Sequence, residues 1–177
     1  ILINLSEAKP FDKLLDPFCG IGGILSEALI KRIHIYGIDK DSEAINQAKE
    51  NLEWLTKNYK IETKYQIENK DSRFSPDLQF SAIATETPLG KILTKKPTEK
   101  QARQIIQNFE AYMIPILSKL KKVKKPSAKI AITFPVVNNI HTNYQKIAEK
   151  SGLKIHMQPI LESRKDQFIS RDIIVLK

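Results

Sequence analysis

A carboxylate followed by a cluster of glycines is the feature of this sequence best suited to chemistry. Residues 16–23 read Asp-Pro-Phe-Cys-Gly-Ile-Gly-Gly and follow a short apolar run. Glycine lets a ligand approach the backbone closely and supplies dihedral angles that other residues resist. A dinucleotide-binding loop would need Gly-x-Gly-x-x-Gly, but its third glycine position is Leu25. A carboxylate at this place suits a cationic ligand better than a diphosphate.

Two more acidic residues stand at the ends of the next two predicted strands. Asp39 ends the run HIYGID, 23 residues after Asp16, and Asp71 follows the third strand in NKDS. An acid at the spacing of Asp39 can bind the two hydroxyls of a ribose, and Asp71 can accept a hydrogen bond from an adenine amine. S-adenosylmethionine (SAM) carries these groups and a sulfonium, so the acids predict SAM as cofactor. The candidate cofactor-binding residues are Asp16, Pro17, Phe18, Cys19, Gly20, Gly22, Gly23, Asp39, Lys40, Asp71 and Ser72.

Alternating strands and helices must position these acids. Apolar and β-branched runs predict strands at residues 14–16, 34–39, 64–68, 80–85 and 129–134. Helical spacing of apolar residues predicts helices at residues 24–32, about 42–55, 98–120 and 144–150. Two final strands, 153–161 and 168–176, have no helix between them, so we expect them to pair antiparallel. The prediction is an α/β fold with a doubly wound, mostly parallel sheet and a C-terminal antiparallel hairpin.

Positive charge is concentrated in the second half of the chain. Residues 1–90 hold 11 Lys and Arg against 14 Asp and Glu, whereas residues 91–177 hold 18 against 6, giving net charges of −3 and +12. A basic half indicates a polyanionic partner such as a nucleic acid, although a solvated lysine surface gives the same composition. The candidate phosphate contacts lie in the predicted basic turn at 119–129 and are Lys121, Lys122, Lys124 and Lys125.

Length and composition are those of one domain without a metal centre. The 177 residues predict a single domain over 1–177. One cysteine and three dispersed histidines give no metal-binding spacing. Cys19 has no basic partner in the local sequence, so we expect it to pack as a small apolar side chain. The single cysteine and the lack of a long apolar run favour a cytoplasmic protein with no membrane partner.

Three stretches resemble one known family. They are residues 2–5 (LINL), 16–29 (DPFCGIGGILSEAL) and 36–52 (YGIDKDSEAINQAKENL). They resemble the SAM-binding half of the THUMP-linked tRNA guanine-N2-methyltransferases, within the wider group of DPFCGSGG-type amino-group methyltransferases. The resemblance is strongest over 14–52 and includes the closing strand at 171–176. It implies a Rossmann-like class I SAM-dependent methyltransferase fold and methyl transfer to an exocyclic base amine, with guanine N2 of tRNA as the expected acceptor.

The resemblance also implies where the catalytic residues lie. The family carries Asp/Asn-Pro-Pro-Tyr/Phe after its fourth strand, where the acid and the next carbonyl accept the amine hydrogens and the aromatic ring stacks on a flipped base. The matching stretch here is Glu86-Thr87-Pro88-Leu89-Gly90. Glutamate is one methylene longer than aspartate, and Leu89 has no ring to stack. We expect Glu86, Thr87 and Pro88 to be catalytic, and Leu89 and Gly90 to contact substrate.

The altered catalytic stretch leaves alternatives open. The chain could be a non-catalytic module that binds SAM or RNA, or an amino-group methyltransferase of DNA, whose loops are similar. A dinucleotide-dependent oxidoreductase is disfavoured by Leu25. Nothing in residues 1–177 is similar to the family's RNA-binding THUMP module. Three alternatives are therefore open: such a module lies upstream in a longer protein, a partner supplies it, or the domain acts alone. Another aromatic residue would have to replace Leu89 in stacking, and the candidates are Phe74, Tyr112 and Phe134.

Overall fold

Parallel strands form the centre of the structure, and their carboxyl ends lie along one edge of the sheet. The computed structural model describes residues 1–73, 76–88, 93, 95–163 and 167–177. Its strands are β1 Lys13–Asp16, β2 His34–Asp39, β3 Tyr65–Asn69, β4 Ala82–Thr85, β5 Ile130–Val137, β6 Ile140–His141, β7 Ile160–Glu162 and β8 Ile169–Leu176. Within the described residues they form one sheet in the order β3-β2-β1-β4-β5-β8-β7, with β6 paired to β5.

The pairing separates a parallel part of the sheet from an antiparallel end. β1 pairs in parallel with β2 and β4, β2 with β3, and β4 with β5. β8 runs antiparallel to both β5 and β7, and lies between them. The predicted fold class, a doubly wound and mostly parallel sheet with an antiparallel C-terminal hairpin, is confirmed.

Helices cover both faces of this sheet. They are α1 Leu2–Leu5, α2 Gly23–Ile30, α3 Ser42–Tyr59, α4 Glu99–Val123 and α5 Tyr144–Ser151. One buried cluster joins α4 and α5 to residues such as Ile83 and Phe134, and a second joins α1, α2 and α3 to their strand neighbours on the other face, such as Ala84. Side chains alternate between faces along a strand, so consecutive apolar residues supply both cores. None of the described helices has the length and apolar character needed to cross a bilayer.

Two predicted boundaries in the second half of the chain are wrong. The strand expected at 153–161 is only Ile160–Glu162. The chain before it makes an isolated bridge from Ile155 to Leu176, and Pro159, which has no N–H, cannot continue a ladder. α4 continues through Val123, so Lys121 and Lys122 are helical and not part of a turn. The short elements α1 and β6 carry no periodic pattern that would predict them.

Candidate active site

The loop between β1 and α2 has the backbone conformation that its glycines predict. Gly20 and Gly22 have positive φ angles of 50° and 88°, a region that glycine adopts without a steric cost. A Cβ atom on Gly22 would lie 3.3 Å from the Cβ of Ala48 in α3, so the loop also packs closely there. The N–H of Cys19 donates to the carbonyl of Ile38 at 3.0 Å, which ties the loop to β2.

Asp39, the predicted ribose acceptor, holds this loop at the end of β2. Its Oδ2 accepts the N–H of Gly20 at 2.9 Å, and its Oδ1 accepts the N–H of Asp41 at 3.0 Å. A carboxylate has about four lone-pair sites, so Asp39 can still accept hydrogen bonds from ribose hydroxyls. The same side chain therefore shapes the glycine loop and remains available to a ligand.

Asp16 is a buried carboxylate at the end of β1. Its side chain is 1% exposed, and its Oδ1 accepts the hydroxyl of Thr85 at 2.5 Å and the N–H of Phe18 at 3.1 Å. Burial raises the pKa of Asp16 to about 7 despite these two hydrogen bonds, and the negative charges of Asp39 and Glu86 contribute a smaller part of that rise. Asp16 therefore lies close to two other carboxylates, and among the described residues no lysine or arginine forms an ion pair with it.

Of the two candidate residues that follow β3, Ser72 faces the Tyr112 side of the site, whereas Asp71 is paired with Arg73. Arg73 binds both oxygens of the Asp71 carboxylate at 2.7 and 2.9 Å and lowers the pKa of Asp71 to about 2. The Oγ of Ser72 lies 3.2 Å from the hydroxyl of Tyr112 in α4, whose ring is 6.3 Å from that of Phe18. The adenine contact predicted for Asp71 would have to share its carboxylate with Arg73.

The predicted catalytic stretch begins at the end of β4. Thr87 is buried and anchored to β5, because its N–H donates to the Oγ1 of Thr133 at 3.1 Å and its own hydroxyl donates to the Thr133 carbonyl at 2.7 Å. Glu86 is 52% exposed, and its Oε2 accepts Nη1 of Arg171 at 2.8 Å. Leu89, Gly90 and Phe74 lie outside the described residues.

These segments meet at a cavity of about 220 Å³. Its lining combines residues predicted for the cofactor with residues predicted for catalysis. The lining residues are Pro17, Phe18, Asp39, Lys40, Ser72, Glu86, Pro88 and Tyr112. Of the rings considered for base stacking, Tyr112 lines the cavity, whereas Phe134 is fully buried. Cys19 is buried as well, and burial raises the pKa of its thiol, which fits a packing role.

A larger cleft of about 780 Å³ lies at the opposite edge of the sheet. It is lined by residues from the amino ends of β1, β2 and β3, such as Lys13, His34 and Tyr65. Open α/β sheets bind ligands beyond the carboxyl ends of their strands, where the smaller cavity and its carboxylates lie. We therefore place the candidate active site at the smaller cavity, because chemistry and not volume decides the choice.

The residues around the smaller cavity fit SAM. Its edge holds Asp39 and Glu86, and the buried Asp16 adjoins both. A positively charged ligand would relieve the repulsion among these carboxylates, and Asp39 has lone pairs left for a ribose. The described residues hold no group of three or more metal-ligating side chains.

The predicted phosphate contacts lie far from this cavity. Lys121 is nine residues beyond Tyr112 in α4, which is about 14 Å along the helix axis. Lys124 and Lys125 follow the helix beside Phe80, before the amino end of β4. Nζ of Lys124 donates to three carbonyls between residues 125 and 128, and burial lowers its pKa. Lys124 thus stabilises its own loop, whereas Lys121, Lys122 and Lys125 are exposed.

Three residues at the site have no role in the sequence-based prediction. They are Thr85, Thr133 and Arg171, each in contact with a predicted residue. Arg171 has a local signal, since it is the first of two adjacent charged residues, Arg171 and Asp172, that precede the apolar run at the end of β8. Thr85 and Thr133 are polar residues inside strands that are otherwise apolar. Such a residue often marks a strand that contributes to a site.

Comparisons with known proteins identify related sequences. Over 90 residues, 50% of this chain, it is 38% identical to a "tRNA (guanine(10)-N2)-dimethyltransferase" of Methanothermobacter thermautotrophicus. Over 94 residues, 52% of this chain, it is 36% identical to a protein of the same name from Pyrococcus abyssi. The matched segments span 25% and 27% of those relatives' lengths, so the similarity covers about a quarter of each relative.

A solved structure and a family model complete the comparison. The magnesium protoporphyrin IX methyltransferase of Synechocystis PCC 6803, solved with bound SAM, superposes with a TM-score of 0.68 at 12% identity. The match covers 99% of this chain and 73% of that one, and it shows that the fold is that of SAM-dependent methyltransferases. A family model described as "RMKL-like, methyltransferase domain" matches residues 1–120. The chain therefore belongs to the RMKL-like methyltransferase domain family.

Proposed function

We propose that this chain is the methyl-transfer domain of a SAM-dependent enzyme that methylates an exocyclic base amine, with guanine N2 of tRNA as the acceptor. The observation that carries the proposal is the shared cavity, which brings Asp39 and Ser72 of the cofactor set to Glu86 and Pro88 of the catalytic set. The names of the two relatives support tRNA as the substrate. Such a reaction would place the protein in the cytoplasm, where tRNA is used.

The residues divide the work between holding the cofactor and holding the acceptor. Asp39 and the glycine loop would bind the ribose side of SAM, Ser72 and Tyr112 would bound the adenine side, and Asp16 would face its positive charge. Bound SAM would supply a methyl group on a cationic sulfur, and the bond to sulfur breaks as the amine nitrogen bonds to the carbon. The chain's own groups need only orient the nitrogen lone pair toward that carbon.

Glu86 is the group that orients the amine. Its carboxylate accepts an amine hydrogen, which favours the positive charge that develops on nitrogen, and its half-exposed position lets the released proton pass to solvent. The hydroxyl and N–H of Thr87 are both engaged with Thr133. Thr87 therefore fixes the backbone beside Glu86, and its carbonyl is the atom left to accept a second amine hydrogen.

tRNA would reach across the domain from the cavity to the basic edge. The half of the chain from residue 91 carries the net charge of +12, and exposed lysines at the end of α4 lie about 14 Å beyond the cavity. A folded RNA is large enough to contact both places at once. The lysines would then supply affinity that depends on salt concentration, while the cavity acts on one base.

The deciding experiment measures SAM binding and methyl transfer separately. Calorimetry follows SAM binding, and transfer of a tritiated methyl group to unmodified tRNA follows the reaction, with the full-length protein. Glu86→Gln should bind SAM as the wild type does but lose about 10²-fold in turnover. The exposed Glu62→Gln is the matched control and should change neither value.

Each failure of this experiment has its own meaning. Absence of SAM binding by the folded wild type would refute the assignment of SAM as the cofactor. SAM binding without transfer to tRNA or DNA would make the domain a non-catalytic module. Transfer to DNA alone would reassign the substrate. Full activity in Glu86→Ala would remove Glu86 from the mechanism.

A further inference from the structure

An arginine from the antiparallel end of the sheet contacts the proposed catalytic acid. Nη1 of Arg171 donates to Oε2 of Glu86 at 2.8 Å. Arg171 lies on β8 opposite Pro135 of β5, whereas Glu86 follows β4 on the far side of β5. The guanidinium therefore reaches across one whole strand to the carboxyl end of another. The two residues are 85 positions apart in the chain.

This ion pair differs from the ordinary exposed pairs of the molecule. Arg171 is 20% exposed, and only Glu86 is open to solvent at 52%. In the pair Arg103–Glu99 the exposed fractions are 62% and 67%, and the partners are neighbours one turn apart on α4. A flexible surface pair of that kind forms wherever charges share a helix face. The Arg171–Glu86 pair instead requires the strand order β4-β5-β8, so the sheet fixes the position of Arg171.

Glu86 needs such a partner because of its length and its neighbours. Glutamate has one more rotatable bond than the aspartate of the related catalytic motif, so its carboxylate has more positions to choose from. The negative charge of Glu86 also repels the buried carboxylate of Asp16, as the charge of Asp39 does. A guanidinium stays charged under all working conditions. It can hold one carboxylate oxygen and offset one of three negative charges without exchanging a proton.

We propose that Arg171 is a positioning residue for methyl transfer, which fixes Glu86 through Oε2 and leaves Oε1 to accept the hydrogen of the acceptor amine. Among the described residues, no donor is bonded to Oε1. Arg171 acts through Glu86 and contacts neither SAM nor the base. The proposal rests on the proposed function, since it assigns Arg171 a part in that reaction.

The test compares Arg171→Gln and Arg171→Lys with Arg103→Gln as the matched control. A displacement of about 1 Å at a reacting group can cost about 10²-fold in rate, so Arg171→Gln should lower kcat by about 10- to 100-fold. KM for SAM and for tRNA should stay within about twofold, because uniform binding is untouched. Arg171→Lys keeps the charge but not the planar fork, so its kcat should lie between that of the wild type and that of Arg171→Gln. Arg103→Gln should leave kcat unchanged.

A double-mutant cycle separates positioning from a general structural role. If Arg171 acts only through Glu86, adding Arg171→Gln to Glu86→Gln should lower kcat by less than about twofold. The proposal would be overturned if Arg171→Gln lowered kcat by the same factor in the wild type and in Glu86→Gln. It would also be overturned if Arg171→Gln alone left kcat unchanged. If Arg171→Gln does not fold, Arg171→Lys carries the same cycle. An inactive wild type would instead refute the proposed function, and the inference with it.

Discussion

The buried carboxylate of Asp16 makes the stability of this protein depend on pH near neutrality. Asp16 is 1% exposed and receives hydrogen bonds from Thr85 and from the backbone of Phe18. Burial nevertheless raises its pKa from the ordinary 3.8 to about 7. Asp16→Asn keeps the shape and an acceptor oxygen, but it removes the titration. The variant should therefore be more stable than the wild type at neutral and alkaline pH.

The sign and size of the effect follow from proton linkage. Between pH 3.8 and about 7 the folded protein holds a proton on Asp16 that the unfolded chain has lost. The free energy of unfolding therefore falls as pH rises through this window, and it levels off above the folded pKa. At about 1.4 kcal/mol per pKa unit the full difference is about 4 kcal/mol. Between pH 5 and pH 8 it is about 2.5 kcal/mol.

Urea denaturation at pH 5 and pH 8, without SAM, measures this difference directly. The free energy of unfolding of Asp16→Asn minus that of the wild type should grow by about 2.5 kcal/mol from the lower to the higher pH. The exposed Asp77→Asn is the control and should show no such growth. A difference that is equal at both pH values would mean that Asp16 does not titrate there. Saturating SAM should shrink the difference, because a cation beside Asp16 favours its ionised form.

Three further predictions test the loop, the packing and the basic edge. Asp39→Ala should weaken SAM binding by about 1–3 kcal/mol in calorimetry, since it leaves ligand hydroxyls unpaired, and unchanged affinity would refute the ribose assignment. Gly37→Ala should lower the free energy of unfolding, measured in urea, by about 1–3 kcal/mol, because the new Cβ would lie 2.5 Å from Cδ1 of Leu25. Gly23→Ala is the control, since nothing lies within 4 Å of its Cβ. Equal stabilities of the two variants would contradict the packing argument. Replacement of three exposed lysines by glutamine should flatten the salt dependence of tRNA binding by up to about three phosphate contacts, and an unchanged slope would make this edge a solvated surface. The lysines are Lys121, Lys122 and Lys125.

The fold class and the cofactor side of the site could be predicted because their signals are local in sequence. Strand, glycine loop and helix follow one another within residues 13–30, so the dihedral angles of Gly20 and Gly22 depend mainly on their own chemistry. The alternation of strands and helices then requires a parallel sheet, and parallel strands bring their carboxyl ends to one edge. For this reason the sequence alone predicts that Asp16 and Asp39 lie close together.

The partners of those residues depend on contacts between distant strands. Thr85 reaches Asp16 across 69 positions, and Arg171 reaches Glu86 across 85. The second contact exists only because β8 inserts antiparallel between β5 and β7, and periodicity along the chain does not specify which strands become neighbours. The same sheet order, together with the direction of α4, places the exposed lysines Lys121, Lys122 and Lys125 away from the cavity. The sequence alone predicts candidate groups for the chemistry, whereas the tertiary structure decides which of them touch, because long-range strand order sets those distances.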